Sequence, residues 1–339
     1  MRVGLAGVGR IGAYHAATLA GLPAVDSLVV ADADPQRARA VAERLRAGGR
    51  TAVEHVDAVE ALFTAGIDGL AVAATTSAHA PLLLAAVDAG LPVFCEKPVA
   101  PDVPTTLAVL DRVAATGARV HIGFQRRFDP GYLAAREAVH AGRLGRVHTL
   151  RAGTLDPAPP PPEYLPASGG FFRDCSVHDF DAVRWVTGHE VVEVYALGAN
   201  RGEAFFAEAG DVDALAALLT LDDDTFVHVM ASRYNARGYD VRLEVLGSAD
   251  SISVGLDDRL PLRSVEPGAT FPAGEPYPMF IDRFDAAYRA ELEHYTEMVA
   301  GRAEAACTVA DALAAVLVAE ACELSRHEHR PVTLEEVRP

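Results

Sequence analysis

The sequence predicts an α/β protein in two parts, a doubly wound parallel sheet followed by an α+β domain with a largely antiparallel open sheet. Three observations carry this. Over the first ~120 residues short apolar runs alternate with longer Ala/Leu/Arg-rich segments of helical period, the pattern of strand and crossover helix. A glycine-rich turn follows the first of these runs directly. After Gly123 the texture changes to a series of closely spaced strand-like runs, which is the habit of an antiparallel sheet.

Taken in order, Val3–Ala6, Ser27–Ala31, Gly69–Ala73, Pro92–Cys95 and Arg119–Ile122 read as the parallel strands. The break at Gly123 divides the chain into residues 1–122 and 123–339. Beyond it come a helix at Tyr132–Ala141, a strand at Arg146–Ala152, and a proline-rich stretch from Pro157 to Pro162 that reads as a stiff loop. A helix over Phe172–Val186 precedes strands at Val191–Leu197, Ala214–Leu221, Phe226–Ser232, Val241–Leu246 and Ser251–Val254. Two helices, near Asp282–Ala300 and Thr308–Ser325, end the pattern.

The chain of 339 residues carries 30 Lys+Arg against 47 Asp+Glu, a formal charge of −17. That charge opposes phosphate backbones and anionic lipid, so neither nucleic acid nor membrane is an expected partner. Cys95, Cys175, Cys307 and Cys322 lie far apart, without metal-ligand spacing, and read as reduced thiols; no metal is expected. The N-terminus lacks the features of a secretory signal, and no apolar run approaches the ~20 residues of a membrane helix, so a cytoplasmic protein is expected.

Gly7-Val8-Gly9-Arg10-Ile11-Gly12 fits G-x-G-x-x-G, and here the pattern follows a strand and opens a helix. In that setting Gly7 permits the tight turn, Gly9 lets the backbone approach a pyrophosphate, and Gly12 lets helix and strand pack closely, as in Rossmann dinucleotide sites. Asp32, at the end of the second strand, can accept from ribose hydroxyls and repels a 2′-phosphate, which favours NAD over NADP. Asp34 and Arg37 keep NADP open.

Glu96-Lys97-Pro98 stands at the carboxyl end of a parallel strand, where open α/β sheets place ligands. Farther on, Asp174 and His178 are spaced i, i+4, so on a helix the carboxylate can orient the imidazole; Asp181 is a rival for that task.

These motifs, with Gly123-Phe124-Gln125-Arg126-Arg127-Phe128-Asp129, the 169–185 segment, Gly238-Tyr239-Asp240-Val241-Arg242 and the closing Pro331-Val332-Thr333-Leu334-Glu335-Glu336, resemble the Gfo/Idh/MocA oxidoreductases, and within them the inositol 2-dehydrogenase group. The likeness spans nearly the whole chain. It implies NAD-dependent oxidation of a secondary alcohol of a cyclic polyol or sugar by hydride transfer to nicotinamide C4. By the resemblance His178 is the base, Asp174 orients it, and Lys97 hydrogen-bonds the reacting oxygen; Lys97 as the base is the other assignment. Arg10, Ile11, Thr75, His79 and Glu96 join the cofactor site, and Arg127, Asp156 and Tyr239 are candidates for polyol contacts. The resemblance also implies a homodimer or homotetramer formed through the open sheet. Leu155, Gln125 and Arg237 depart from the group's usual residues and leave the polyol open among inositol isomers, aminocyclitols and pyranoses. Two other readings remain at this stage, an NAD-binding sensor without turnover and an NAD-assisted hydrolase or lyase.

Overall fold

The computed structural model describes residues 1–48 and 51–338. These form two compact units, Met1–Gln125 with Ala286–Leu313, and Arg126–Asp285 with the chain from Ala314 onward.

In the first unit six parallel strands, β1 (Arg2–Ala6), β2 (Ser27–Ala31), β3 (Ala52–His55), β4 (Gly69–Val72), β5 (Val93–Glu96) and β6 (Val120–Gly123), lie in the order β3-β2-β1-β4-β5-β6. Helices α1 (Arg10–Gly21), α2 (Pro35–Arg46), α3 (Thr76–Asp88) and α4 (Val103–Thr116) make the crossovers. The order reverses between β1 and β4, and a crevice at the carboxyl ends of such strands is the usual ligand site. Local chemistry starts the helices where they begin: Asp34 accepts from the Gln36 amide with Pro35 in the first turn, and Asp102 accepts from the Thr105 amide. The sequence pattern missed β3. It is an edge strand of four residues with only Val53 buried, too little apolar surface to register as a run.

The core of this unit joins Val3, Leu5, Leu28, Val30 and Phe94 of the strands to Ala16 and Leu19 of α1 and to Leu292, Tyr295 and Met298. Those last three residues were expected in the second domain. They recur every third position of a late helix and are fully buried, so the stretch they occupy belongs to the first unit.

The second unit contains α5 (Pro130–His140), β7 (Val147–Leu155), a short α6 (Leu165–Ser168), α7 (Val177–Thr187), β8 (Val191–Ala199), a short α8 (Ala204–Glu208), β9 (Ala214–Leu221), β10 (Phe226–Ser232), β11 (Asp240–Gly247) and β12 (Ser251–Val254). Helix α9 (Phe280–Val299), which bends at Phe284, and α10 (Val309–Glu328) each begin in one unit and end in the other, and β13 (Val332–Thr333) closes the sheet. The sheet order is β12-β11-β7-β10-β9-β8-β13, with β7 and β10 parallel and the other pairs antiparallel. Along β10, Val227, Val229 and Ala231 are buried while Phe226 and Met230 are half exposed, the alternation of a sheet covered on one face. The helix expected over Phe172–Val186 instead opens with a π turn, Phe172–Ser176, before α7. Among the described residues no helix is long and apolar enough to cross a membrane.

Candidate active site

The turn after β1 has the geometry a dinucleotide needs. Gly7 has φ +89°, and a Cβ there would stand 2.6 Å from the Ala73 carbonyl oxygen. A Cβ on Gly12 would overlap the Gly7 carbonyl oxygen, so helix and turn pack as closely as glycine allows. Gly9 is the contrast, since a Cβ there would meet nothing within 4 Å. Gly9 also caps α1 without any side-chain hydrogen bond, and no acidic residue stands in the first turn. An open backbone at an uncapped helix N-terminus suits a pyrophosphate. Arg10 is exposed at the helix start and Ile11 half-buried beside it.

Asp32 is 5% exposed. Its Oδ2 accepts from the Val8 amide at 2.8 Å, and its Oδ1 from the Asp34 amide at 3.0 Å and Arg37 at 3.1 Å. The carboxylate is therefore fixed by the glycine turn itself, with acceptor capacity left on Oδ2 for a ribose hydroxyl. Thr75 is exposed at the start of α3 and caps nothing. His79, expected at the cofactor, is buried, with Nδ1 2.7 Å from the Pro98 carbonyl oxygen and Nε2 3.0 Å from that of Ala74. With both ring nitrogens facing protein carbonyls it is tied to the backbone. Glu96, last residue of β5, lies 2.6 Å from Nε2 of His15, and Lys97 follows it, half-buried.

In the second unit Asp174 sits in the π turn and His178 one residue into α7, both half-buried. The Tyr164 hydroxyl donates to Oδ1 of Asp174 at 2.8 Å, and Arg233 donates to Oδ2 at 2.7 Å. Arg233 also donates to Asp156 at 2.9 Å and lies 4.2 Å over the Phe171 ring, joining two expected site carboxylates through one buried guanidinium. Burial alone would lower the Arg233 pKa, but the charges of Asp174 and Asp156 raise it. Sequence reading missed Arg233, although the ladder pointed to it. Ser232 pairs with Leu155 in parallel register, which sets Arg233 and Asp156 side by side where the strands end.

Arg127 departs from expectation. It is buried and bonds Asp181 through Nε at 3.0 Å and Nη2 at 2.6 Å, with Trp185 against its guanidinium. A bidentate pair of this kind braces α7, and it commits Asp181, the rival orienter, to the scaffold. Tyr239 is buried against Phe280 and Phe284, and burial pushes its hydroxyl pKa well above the usual tyrosine value. The four cysteines are free and buried, and burial likewise raises the thiol pKa of Cys95, Cys175 and Cys322.

Residues 1–124 match the oxidoreductase family with the NAD-binding Rossmann fold, and residues 132–253 match the GFO/IDH/MocA C-terminal domain. The chain belongs to the Gfo/Idh/MocA oxidoreductase family. It is an NAD-dependent dehydrogenase, and the turn after β1 fits that cofactor. Among Gfo/Idh/MocA relatives, the myo-inositol dehydrogenase Hyg17 of Streptomyces leeuwenhoekii is 41% identical over 89% of each chain. The inositol 2-dehydrogenase of Rhizobium meliloti is 35% identical over 98% of this chain and 99% of its own. Among solved structures, a myo-inositol dehydrogenase from Corynebacterium glutamicum superposes with TM-score 0.89 at 33% identity, covering 100% of this chain and 99% of that one. The scyllo-inositol dehydrogenase of Lactobacillus casei, crystallised with NAD(H) and scyllo-inositol, superposes with TM-score 0.85 at 25% identity and covers 99% of each.

Proposed function

We propose that the chain oxidises a secondary hydroxyl of an inositol or a closely related cyclic polyol. The observation that carries the reading is the placement of its only lysine. Of the 30 Lys+Arg positions, 29 hold arginine; the exception is Lys97, at the carboxyl end of β5 in the NAD-binding unit. An arginine surface supplies charge just as well, so a lysine kept at this one place suits a compact ammonium donor aimed at a reacting oxygen. The names of the relatives support the substrate class.

In this reading the Lys97 ammonium donates a hydrogen bond to the reacting oxygen and stabilises negative charge as it develops there. His178 takes the hydroxyl proton. Its Nδ1 is buried, so Nε2 is the nitrogen that receives it. Bound NAD+ supplies the hydride acceptor. Asp174, held by Tyr164 and Arg233, keeps its carboxylate fixed to orient a neighbouring substrate hydroxyl. Asp156, on the same guanidinium, offers a second fixed acceptor, as a substrate rich in hydroxyls requires.

The reading also takes a second copy of the chain as its partner, seated on the open sheet face. Tyr195 and Leu197 of β8, Ala216 and Leu218 of β9, and Phe226, His228 and Met230 of β10 share that face by register. Leu197, Leu218, Phe226 and Met230 are each about half exposed, and adjacent exposed apolar side chains of this kind mark an interaction surface.

The test is NADH formation across inositol isomers, aminocyclitols, aldoses and uronic acids, then Lys97→Ala and His178→Ala on the best substrate. Both variants are expected to lose at least about a hundredfold in kcat. NAD binding without reduction across the panel, or near-normal turnover in His178→Ala, refutes the reading.

A further inference from the structure

Beyond the residues that meet substrate or cofactor, the structure shows how the backbone at Lys97 is fixed. Strand β5 is paired on both sides, to β4 and to β6, and the last rung is Glu96 with Gly123. Lys97 therefore stands where the ladder stops. Two buried histidines take over there. His15 of α1 is fully buried, its ring packs against Tyr14, Phe94 and Tyr288, and its Nδ1 has no hydrogen-bond partner among the described residues. Its one polar outlet is Nε2, 2.6 Å from Oε1 of Glu96. On the opposite side a Cβ at Gly123 would stand 3.1 Å from Oε2, so the carboxylate is wedged between imidazole and backbone. His79 of α3, 2% exposed, holds the carbonyl of Pro98 at 2.7 Å and that of Ala74, just past β4, at 3.0 Å. A carbonyl oxygen only accepts, so the ring nitrogen that carries the hydrogen is the one that donates, and Nδ1 is the nearer of the two to its carbonyl.

We propose that His15 and His79 are positioning residues for the Lys97 ammonium, one gripping the residue before it and the other the residue after it. Four rotatable bonds separate the ammonium from the backbone, so the fold controls its place first by fixing the ends of the residue. Reacting groups displaced by about 1 Å cost on the order of a hundredfold in rate, which is the precision such a grip preserves. The role of Lys97 rests on the function proposed above; the grip on its neighbours does not.

Because Lys97 is the only lysine, acetic anhydride reports its amine against one internal standard, the Met1 amine, by peptide mass mapping of the protein without ligands. The variants are His15→Leu and His79→Leu, with His15→Gln and His79→Gln, which retain a donor, carrying the test if the leucine variants do not fold. The Lys97 to Met1 labelling ratio is expected to change at least threefold in the leucine variants and less in the glutamine ones. With substrate, kcat is expected to fall about ten- to a hundredfold while the NAD dissociation constant stays within threefold. A labelling ratio unchanged in both positions overturns the proposal. So does NAD affinity falling in step with kcat, which would make the histidines cofactor contacts. A wild-type protein that oxidises no polyol refutes the proposed function instead, and the labelling comparison still decides this proposal.

Discussion

Replacing Arg233 by methionine keeps most of the buried volume and removes the charge that joins Asp156 to Asp174. The two carboxylate side chains are 21% and 12% exposed, so water screens them only in part once the guanidinium at 2.9 and 2.7 Å is gone. Breaking a buried pair from one side costs about 3–5 kcal/mol; the residual exposure places this case near 3 kcal/mol. Urea unfolding followed through Trp185, the only tryptophan, reads the second unit in which all these residues lie. At a slope of about 2 kcal/mol per molar, the midpoint should fall by about 1.5 M. Asp156→Asn in the Arg233→Met background should recover part of the loss, because one of the two like charges is gone, so the pair should be non-additive. Polyol turnover in Arg233→Met should fall even at urea-free stability sufficient for folding. A midpoint within about 0.5 M of wild type, or strict additivity with Asp156→Asn, would refute this account of how the carboxylates are held.

Gly9→Ala should leave thermal stability unchanged and weaken NAD binding, since a Cβ there meets nothing within 4 Å, whereas Gly12→Ala should lower Tm by overlap with the Gly7 carbonyl; calorimetry with NAD titration separates the two, and equal Tm losses would contradict the cradle. Burial raises the pKa of Asp211, so its carboxyl binds a proton more tightly folded than unfolded, and stability should be lost as pH rises from about 4 through that raised value. Asp211→Asn, which can still accept from Phe171 and Val212, should flatten this slope in melts between pH 4 and 8; an unchanged slope counts against it. Phe226→Glu with Met230→Glu, on the open sheet face, should lower the mass seen by sedimentation equilibrium without loss of the fold, and an unchanged mass would remove that face as the interface.

The parallel sheet was legible because its buried strands are continuous apolar runs, and the glycine turn because its spacing has a backbone meaning. Strand β3 was not, for want of apolar residues, and the return of Leu292, Tyr295 and Met298 to the first core was not, because helical period says that a face is buried and not against what. At the site the candidate residues were visible by type, while most of the partners the structure gives them were not. Arg127 reads in sequence as a candidate polyol contact and is paired with Asp181; His79 reads as a cofactor contact and lies between two carbonyls. Arg233 drew no attention because a lone arginine at a strand end gains meaning only when register sets Asp156 beside it.

The discontinuous first unit has a consequence for biosynthesis. When residue 125 leaves the ribosome the six strands exist, but the side chains of Leu292, Tyr295 and Met298 that complete their core do not. At about 5–20 residues per second, the intervening ~160 residues take roughly 10–30 s to appear. Throughout that interval the sheet lacks the three side chains that complete its core, and the apolar gap closes only when α9 emerges to fill it.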